Sequence, residues 1–253
     1  MQFTPAIIGA IAAFFAAALN SIAGGGTFIA FPTLTGAVGL GAKLANATCT
    51  VGLWPGLAAG LAAVRREWSA IPRRRLLGLA AAGASGGALG GTLLLLTPAE
   101  AFRTIVPILL GAGTILFAIG PQVARGLNRP DSHEFPAPAG IAMLAGISVY
   151  NGYFGAGGGV MVMAALSATG MRDPRRANLF KMINQFASNA AAVIVLSIWG
   201  VAWTVAAGMW VGALFGGWAG MRIANAVPRR GLRAAVIAAG IALTIAYGWS
   251  AWH

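Results

Sequence analysis

The sequence Ala-Gly-Gly-Gly at residues 23–26 recurs at residues 156–159, and each copy lies between two apolar runs. Three consecutive glycines interrupt a helix, because glycine loses more backbone entropy on ordering than other residues and adopts dihedral angles that others avoid. The dipeptide Ala-Asn follows each copy at nearly the same distance, at residues 45–46 and 177–178. The sequence therefore predicts two related halves, each containing a helix that is broken by glycines.

The composition indicates that the whole chain lies in a lipid bilayer. Of 253 residues, 58% are hydrophobic and 9% are charged, and the mean hydropathy of +0.78 is far above that of soluble globular proteins. Several runs approach the length of about 20 apolar residues that a membrane helix needs. The first run lacks the basic segment of a secretory signal, so we expect it to be a membrane helix that is not cleaved.

Ten apolar runs are predicted to be helices, eight of them long and two short. The long runs are Pro5–Ile22, Leu44–Val64, Leu76–Leu96, Phe102–Gly120, Ala137–Phe154, Ala177–Trp199, Trp203–Arg222 and Leu232–Trp249. The short runs, Thr27–Gly36 and Val160–Thr169, cannot cross a bilayer alone. Each is expected to form a re-entrant or broken element with the run before it. The predicted fold class is an all-α integral membrane protein.

Basic residues predict the orientation of the chain. The net charge of +12 comes mainly from arginines in short loops, so a nucleic-acid partner is not predicted. Five arginines within residues 65–75 place that loop in the cytoplasm. Fourteen of the 17 basic residues then fall on the cytoplasmic side, with Lys43 and Arg103 outside and Lys181 within a helix. Both termini are predicted on the periplasmic side of a bacterial inner membrane.

This topology implies an odd number of crossings in each half. Residues 1–126 and 127–253 would then have opposite orientations within a single membrane domain. Inverted repeats of this kind are common among secondary transporters, in which broken helices from the two halves converge near the bilayer midplane. The start of a half-helix favours an anion, because its dipole is positive there and its first N–H groups are unpaired.

Lys181 is the one charged residue in the middle of an apolar run. Burial of an ammonium group in lipid is costly, so such a residue usually faces the protein interior or a watery cavity. Polar residues of the same run share one helix face; they are Asn178, Lys181, Asn184, Gln185, Ser188 and Asn189. The alternative is that Lys181 extends to the cytoplasmic surface. The matching run of the first half carries Asn46, Thr48, Cys49 and Thr50 but no lysine.

These observations predict a binding site for a small anion. Its predicted residues are Gly24, Gly25, Gly26, Thr27, Asn46, Gly157, Gly158, Gly159, Asn178, Lys181, Gln185 and Ser188. Two alternatives stay open. In the first, the glycines permit close helix packing and have no role in binding. In the second, Asn46 and Asn178 cap helices or form hydrogen bonds between segments and do not contact a ligand.

Acidic residues are absent from the predicted membrane runs. Glu67, Glu100, Asp131, Glu134 and Asp173 all lie in predicted loops, so obligatory proton or sodium coupling through a carboxylate in the membrane is not expected. The sequence contains no candidate metal cluster, cofactor motif or nucleophile–base pair within the apolar runs, and an enzyme is therefore not predicted. The single Cys49 cannot form an internal disulfide.

Two longer stretches resemble the sulfite exporter TauE/SafE family of membrane permeases. They are Asn-Ser-Ile-Ala-Gly-Gly-Gly-Thr from Asn20 and Asn-Gly-Tyr-Phe-Gly-Ala-Gly-Gly-Gly from Asn151, each near the end of the first helix of a half. The resemblance extends over nearly the whole chain. It implies a transporter that moves sulfite or an organosulfonate such as sulfoacetate, usually out of bacterial cells. An anion channel, or a permease for another small oxyanion, is the alternative.

Thiol labelling in intact cells tests the predicted topology. A membrane-impermeant reagent should label a cysteine placed at Trp252 and should not label one placed at Ser69, because the basic loop is expected in the cytoplasm. Both positions should react after the cells are permeabilised. Labelling of the Ser69 position alone in intact cells would contradict the predicted orientation of both halves.

Overall fold

Eleven helices and no β-strand occur in residues 4–69, 71–126, 138–171, 173–224, 226 and 229–252, which the computed structural model describes. The helices are α1 (Thr4–Ile22), α2 (Thr27–Pro32), α3 (Ala42–Ala63), α4 (Arg65–Ser69), α5 (Arg73–Leu96), α6 (Ala99–Gly126), α7 (Pro138–Tyr153), α8 (Gly158–Ala168), α9 (Pro174–Trp199), α10 (Trp203–Ile223) and α11 (Arg229–Trp252). A π-helical turn, Thr33–Ala37, continues α2.

All ten predicted runs are helical, and the all-α class is confirmed. Five helices, α1, α5, α6, α9 and α11, contain segments long and apolar enough to cross a membrane. The count of eight crossing helices stays a prediction.

Two acidic residues were wrongly expected in loops. Glu67 lies in α4, which is anchored to α3 because the indole of Trp68 donates a hydrogen bond to the Leu61 carbonyl at 3.0 Å. Glu100 lies in the first turn of α6, where the helix dipole favours a negative charge. The prediction that Asp131 and Glu134 lie in a loop falls on residues 127–137, outside the described residues.

Helix α10 packs on both α1 and α3 through small residues spaced four apart. Facing pairs between α10 and α1 are Gly208 with Ala6, Gly212 with Ala10, Gly216 with Phe14 and Gly220 with Ala18. Those between α3 and α10 are Gly52 with Met209, Gly56 with Ala213 and Gly60 with Gly217. From one facing pair to the next, the residue numbers of both helices increase together, so all three helices are parallel. The short segment between α1 and α3 therefore returns the chain to the side from which α1 started.

Helix α5 packs on α7 and α9 in the same manner. Facing pairs are Gly86 with Ala145 and Gly90 with Val149 on α7, and Gly83 with Asn184, Gly87 with Ser188 and Gly91 with Ala192 on α9. These three helices are therefore also parallel to one another. Where α3 meets α9, Trp54 stacks on Phe186 and Gly60 faces Met182, so those two helices are antiparallel. The group α1, α3 and α10 consequently runs opposite to the group α5, α7 and α9.

The helices of the two halves are interleaved. The first two long helices of each half pack on the third long helix of the other half: α1 and α3 on α10, and α7 and α9 on α5. Helices α6 and α11 form a further pair. It is antiparallel, because Arg103 donates to the Ser250 carbonyl near one end and Arg233 donates to the Phe117 carbonyl nearer the other. Close backbone approach at small residues is the usual basis of helix association in membranes, where lipid is as apolar as the side chains.

Replacement of a glycine in these seams should destabilise the fold. A Cβ at Gly212 would overlap the carbonyl oxygen of Ala10, whereas a Cβ at Gly78 on α5 meets nothing within 4 Å. We expect Gly212→Leu to cost about 3 kcal/mol or more, the upper part of the range for overpacked interiors. Gly78→Leu is the matched control and should be neutral. Thermal unfolding of the purified proteins in detergent measures the difference, and equal midpoints would contradict the close seam.

Candidate substrate site

The two glycine stretches meet at the interface between the halves. Helix α1 ends at Ile22 and α2 begins at Thr27, while α7 ends at Tyr153 and α8 begins at Gly158, so both predicted breaks are confirmed. A Cβ on Gly24 would lie 2.7 Å from the Cα of Gly159. Gly24 has a φ of +78° and Gly157 a φ of +75°, in the left-handed region that favours glycine.

A small polar cavity is present beside this junction, with a volume of about 30 Å³. Its lining residues come from both halves and carry no charged side chain; they are Asn20, Thr27, Cys49, Thr50, Leu53, Leu57, Asn151, Phe154, Gly155, Gln185 and Asn189. A space of this size holds about two water molecules. Binding of a larger molecule therefore requires the surrounding helices to separate.

Two amide side chains at the cavity have unmatched polar atoms. Both Nδ2 and Oδ1 of Asn151 and the Oε1 of Gln185 lack a hydrogen-bond partner among the described residues, although each residue is only 3% exposed. A buried polar atom without a partner costs about 1–3 kcal/mol. Such atoms in native proteins are usually matched by water or by a ligand. The two amides are therefore available to hydrogen-bond a molecule in the cavity.

Gly158 makes room for one of these amides. The side-chain oxygen of Asn151 occupies the position that a Cβ on Gly158 would take. Any other residue at this position would displace the amide from the cavity wall. Gly158 is thus required by a side chain of the cavity and not only by helix packing.

Lys181 is fully buried and ends on the broken helix of the other half. Its ammonium donates to the carbonyl oxygens of Asn20 at 2.9 Å and Ser21 at 3.5 Å, in the last turn of α1. The C-terminal end of a helix is the negative end of its dipole, so a cation is favourable there. The ammonium lies behind Asn20, which lines the cavity, and does not extend to the membrane surface.

Asn46 and Asn178 make related contacts in the two halves. Asn178 donates to the Ser21 carbonyl at 3.3 Å, at the end of α1, and Asn46 donates to the Tyr153 carbonyl at 2.8 Å, at the end of α7. Each asparagine therefore caps the broken helix of the opposite half. Hydrogen bonding between segments, one of the alternatives from the sequence, accounts for the amide nitrogen of each, whereas the buried Oδ1 of Asn46 has no partner among the described residues.

The predicted site residues separate into three groups. Thr27 and Gln185 line the cavity, and Gly24, Gly158 and Gly159 contact each other or the lining amides. Asn46, Asn178 and Lys181 hold the helix ends. The remaining residues are occupied by helix packing: Gly25 against Phe117, Gly26 against the Ala16 carbonyl, Gly157 against Gly113, and Ser188 against Gly87 with its hydroxyl on the Ser148 carbonyl.

Five lining residues with polar side chains were not among the predicted site residues: Asn20, Cys49, Thr50, Asn151 and Asn189. Asn20 and Asn151 each stand in the last turn of the apolar helix that precedes a glycine stretch. This repeated polar residue at a helix end was the signal that would have identified them. Cys49 is the position that the repeat pairs with Lys181, so the first half has a neutral thiol where the second half has a buried cation.

A second buried lysine provides a comparison. Lys43, which the charge distribution left on the periplasmic side, is 6% exposed. Its ammonium donates to the carbonyls of Leu95 at 3.0 Å and Thr97 at 2.7 Å, at the end of α5, and lies over the Trp199 ring. Lys43 caps a helix as Lys181 does, but Leu95, Thr97 and Trp199 do not line the cavity, whereas Lys181 contacts the lining residue Asn20.

A family model described as sulfite exporter TauE/SafE matches residues 9–247. The chain belongs to this family. Among relatives, the probable membrane transporter protein ORF9 of Sinorhizobium sp is 28% identical over 238 residues, covering 93% of this chain and 89% of the relative. The probable membrane transporter protein YfcA of Escherichia coli K12 is 26% identical over 230 residues, 87% of this chain and 81% of the relative. No solved structure gives a significant match. This TauE/SafE protein is accordingly a multi-pass membrane transporter.

Substitution of Lys181 should separate folding from anion binding in this TauE/SafE protein. The Asn20 and Ser21 carbonyls keep hydrogen bonds from the Gly24 N–H and from Asn178, so Lys181→Met should still fold. The loss of a buried positive charge beside the cavity should raise the half-saturating concentration for anion flux by about tenfold or more. Lys181→Arg should retain part of the affinity, because it keeps the charge in a wider group.

Lys43→Met is the matched control, since it also removes a buried helix-capping ammonium. It should lower thermal stability and leave the half-saturating concentration unchanged. Near-normal flux in Lys181→Met and in Lys181→Arg, with equal protein insertion, would contradict an electrostatic role for Lys181.

Proposed function

We propose that this protein carries sulfite or a small organosulfonate across the bacterial inner membrane, usually outward, and binds it between the two glycine-broken helices. The observation that carries the proposal is the set of unmatched amide atoms of Asn151 and Gln185, in a cavity walled by both halves. Transport by alternating access needs a site of this kind, which each side of the membrane can reach in turn.

The proposed architecture is a pair of inverted repeats, residues 1–126 and 127–253, with eight crossing helices and periplasmic termini. It is supported by the opposite directions of α1 and α7 and by the interleaved packing, in which exchange of the halves converts each helix pair into its counterpart. The assignment of the basic loops to the cytoplasmic side of the membrane rests on the positive-inside rule.

Three features favour an anion in the cavity. The N–H groups of Gly26, Thr27 and Gly159, at the starts of α2 and α8, have no backbone acceptor within the described part of the chain, and helix starts favour negative charge. The ammonium of Lys181 neutralises the negative end of α1 next to Asn20. No Asp or Glu side chain lines the cavity. Oxygen atoms of a sulfite or sulfonate group in the cavity would accept hydrogen bonds from donors of the lining, such as the Thr27 N–H and the amides of Asn151 and Gln185, while the helix starts and Lys181 favour the charge from a greater distance.

Export of an anion needs no coupling ion when the cell interior is negative. The membrane potential supplies about 2.3 kcal/mol per charge per 100 mV. The small volume of the cavity favours a carrier over a channel, because a channel requires a continuous open path. Flux of the anion should therefore saturate and should be accelerated by substrate on the opposite side.

Flux into liposomes that contain the purified protein tests this proposal. Sulfite and sulfoacetate should enter with saturable kinetics and counter-transport, whereas sodium ions and a neutral sugar should not. Linear flux without counter-transport would indicate a channel instead. Movement of a cation together with rejection of every oxyanion would refute the proposal.

Displacement of the Asn151 amide should impair the same flux. Gly158→Ala forces Asn151 from the cavity wall and Asn151→Leu removes its polar atoms, so we expect either change to lower flux at low substrate concentration by about tenfold or more. Gly146→Ala on the same helix as Asn151, where a Cβ meets nothing within 4 Å, is the control. Unchanged flux in both site variants would show that Gly158 and Asn151 serve helix packing and not substrate binding.

A further inference from the structure

Helices α3 and α5 leave a gap near the predicted cytoplasmic surface. Both pack on α9, and between them lies an apolar cavity of about 400 Å³. Its lining is apolar except for one arginine; the residues are Ala58, Leu61, Ala62, Arg65, Trp68, Leu76, Leu77, Ala80, Ile183 and Phe186. Leu77 is 68% exposed, so the cavity opens toward the lipid. Space this large and apolar does not hold ordered water.

A second cavity adjoins the first and has the opposite character. It has a volume of about 590 Å³ and is lined by Ala62, Ala63, Val64, Arg65, Arg66, Glu67, Ser69 and Arg222. Three arginines outweigh one glutamate, so the cavity is positively charged. Ala62 and Arg65 belong to both linings, and Arg65 therefore stands at the boundary between an apolar and a basic space.

We propose that the two cavities together bind one anionic phospholipid of the cytoplasmic leaflet. An acyl chain fills the space between α3 and α5, and the lipid phosphate lies among Arg65, Arg66 and Arg222. Arginine is suited to this role because its planar group donates paired hydrogen bonds to phosphate oxygens. Basic pockets beside membrane helices on the cytoplasmic side are a recurring site for anionic headgroups.

Two tryptophans mark the boundary between the proposed positions of the headgroup and the acyl chain. The Trp68 indole, at the apolar cavity, donates to the Leu61 carbonyl at 3.0 Å, and tryptophan is favoured at the headgroup level of a bilayer. The Arg222 guanidinium lies 4.7 Å from the centre of the Trp218 ring, which holds it at the rim of the basic cavity. The apolar and charged spaces are thus arranged in the same order as the acyl chain and headgroup of a phospholipid in the cytoplasmic leaflet.

The lipid would also contact the helix that forms one wall of the substrate cavity. Ile183 and Phe186 line the apolar cavity, whereas Gln185 of the same helix lines the substrate cavity. Phe186 stacks on Trp54 of α3, with ring centres 5.4 Å apart. An acyl chain at this position would therefore pack against α9 and α3 outside the substrate cavity.

Native mass spectrometry of the purified full chain tests the site. We expect phosphatidylglycerol to bind at least about tenfold more tightly than phosphatidylcholine with the same acyl chains. The double substitution Arg65→Gln and Arg222→Gln should abolish this preference. Ala80→Trp, which fills the apolar cavity, should weaken binding of phosphatidylglycerol without removing any charge. Arg74→Gln is the matched control, because Arg74 is exposed in the first turn of α5 and lines neither cavity.

The outcomes distinguish a lipid site from its alternatives. Equal binding of both lipids, or an unchanged preference in the double variant, would overturn the proposal. An equal loss in Arg74→Gln would show attraction to positive charge in general, and this would also overturn it. Glycerol phosphate that competes as effectively as the whole lipid would identify a free-phosphate site in its place. Thermal midpoints near that of the unaltered protein should accompany every variant; a double variant that is unfolded is replaced by Arg65→Gln alone, to which the same expectation applies.

Discussion

The contact between Gly24 and Gly159 is the constraint on which the centre of this protein depends. It joins two helix breaks, one from each half, at a distance that allows no side chain between them. In lipid, helices gain little from burying apolar surface, so close backbone approach and matched polar groups provide the association. The seams of α10 on α1 and of α5 on α7 follow the same rule and hold the two halves around that contact.

A helix that breaks inside a membrane leaves carbonyl groups that water cannot reach, and these must be matched by other parts of the protein. At the end of α1 the donors include Lys181, Asn178 and the N–H groups of Ala23 and Gly24; at the end of α7 they include Asn46. In both cases a donor is a side chain from a long helix of the opposite half: α9 at the end of α1, and α3 at the end of α7. Capping of the breaks and assembly of the halves are therefore the same set of interactions, and movement of one half relative to the other would alter both.

The two halves differ in charge although their long helices follow the same order and pair in the same way. Lys181 places a cation at the end of α1, whereas its counterpart Cys49 lines the cavity as a neutral group. A small anion would therefore meet a positive potential on one side and uncharged donors on the other. The positive charge acts through the Asn20 carbonyl and the helix end, because the ammonium lies one layer behind the cavity lining. In the proposed function, such an arrangement would attract an anion without a direct ion pair that would retain it.

Apolar run length, glycine triplets and arginine-rich loops are local properties, so the sequence by itself determined the all-α membrane class, the ten helical runs, both breaks and the burial of Lys181. The cavity wall was predicted only in part: Thr27 and Gln185 belong to it, whereas Ser188 packs on α5 and Lys181 caps α1. Residues on one helix face can meet different neighbours at successive turns, and only the tertiary structure decides which neighbours those are. It also decided that Asn151 occupies the space left by Gly158, because that contact depends on how α7 ends and α8 begins rather than on either helix alone.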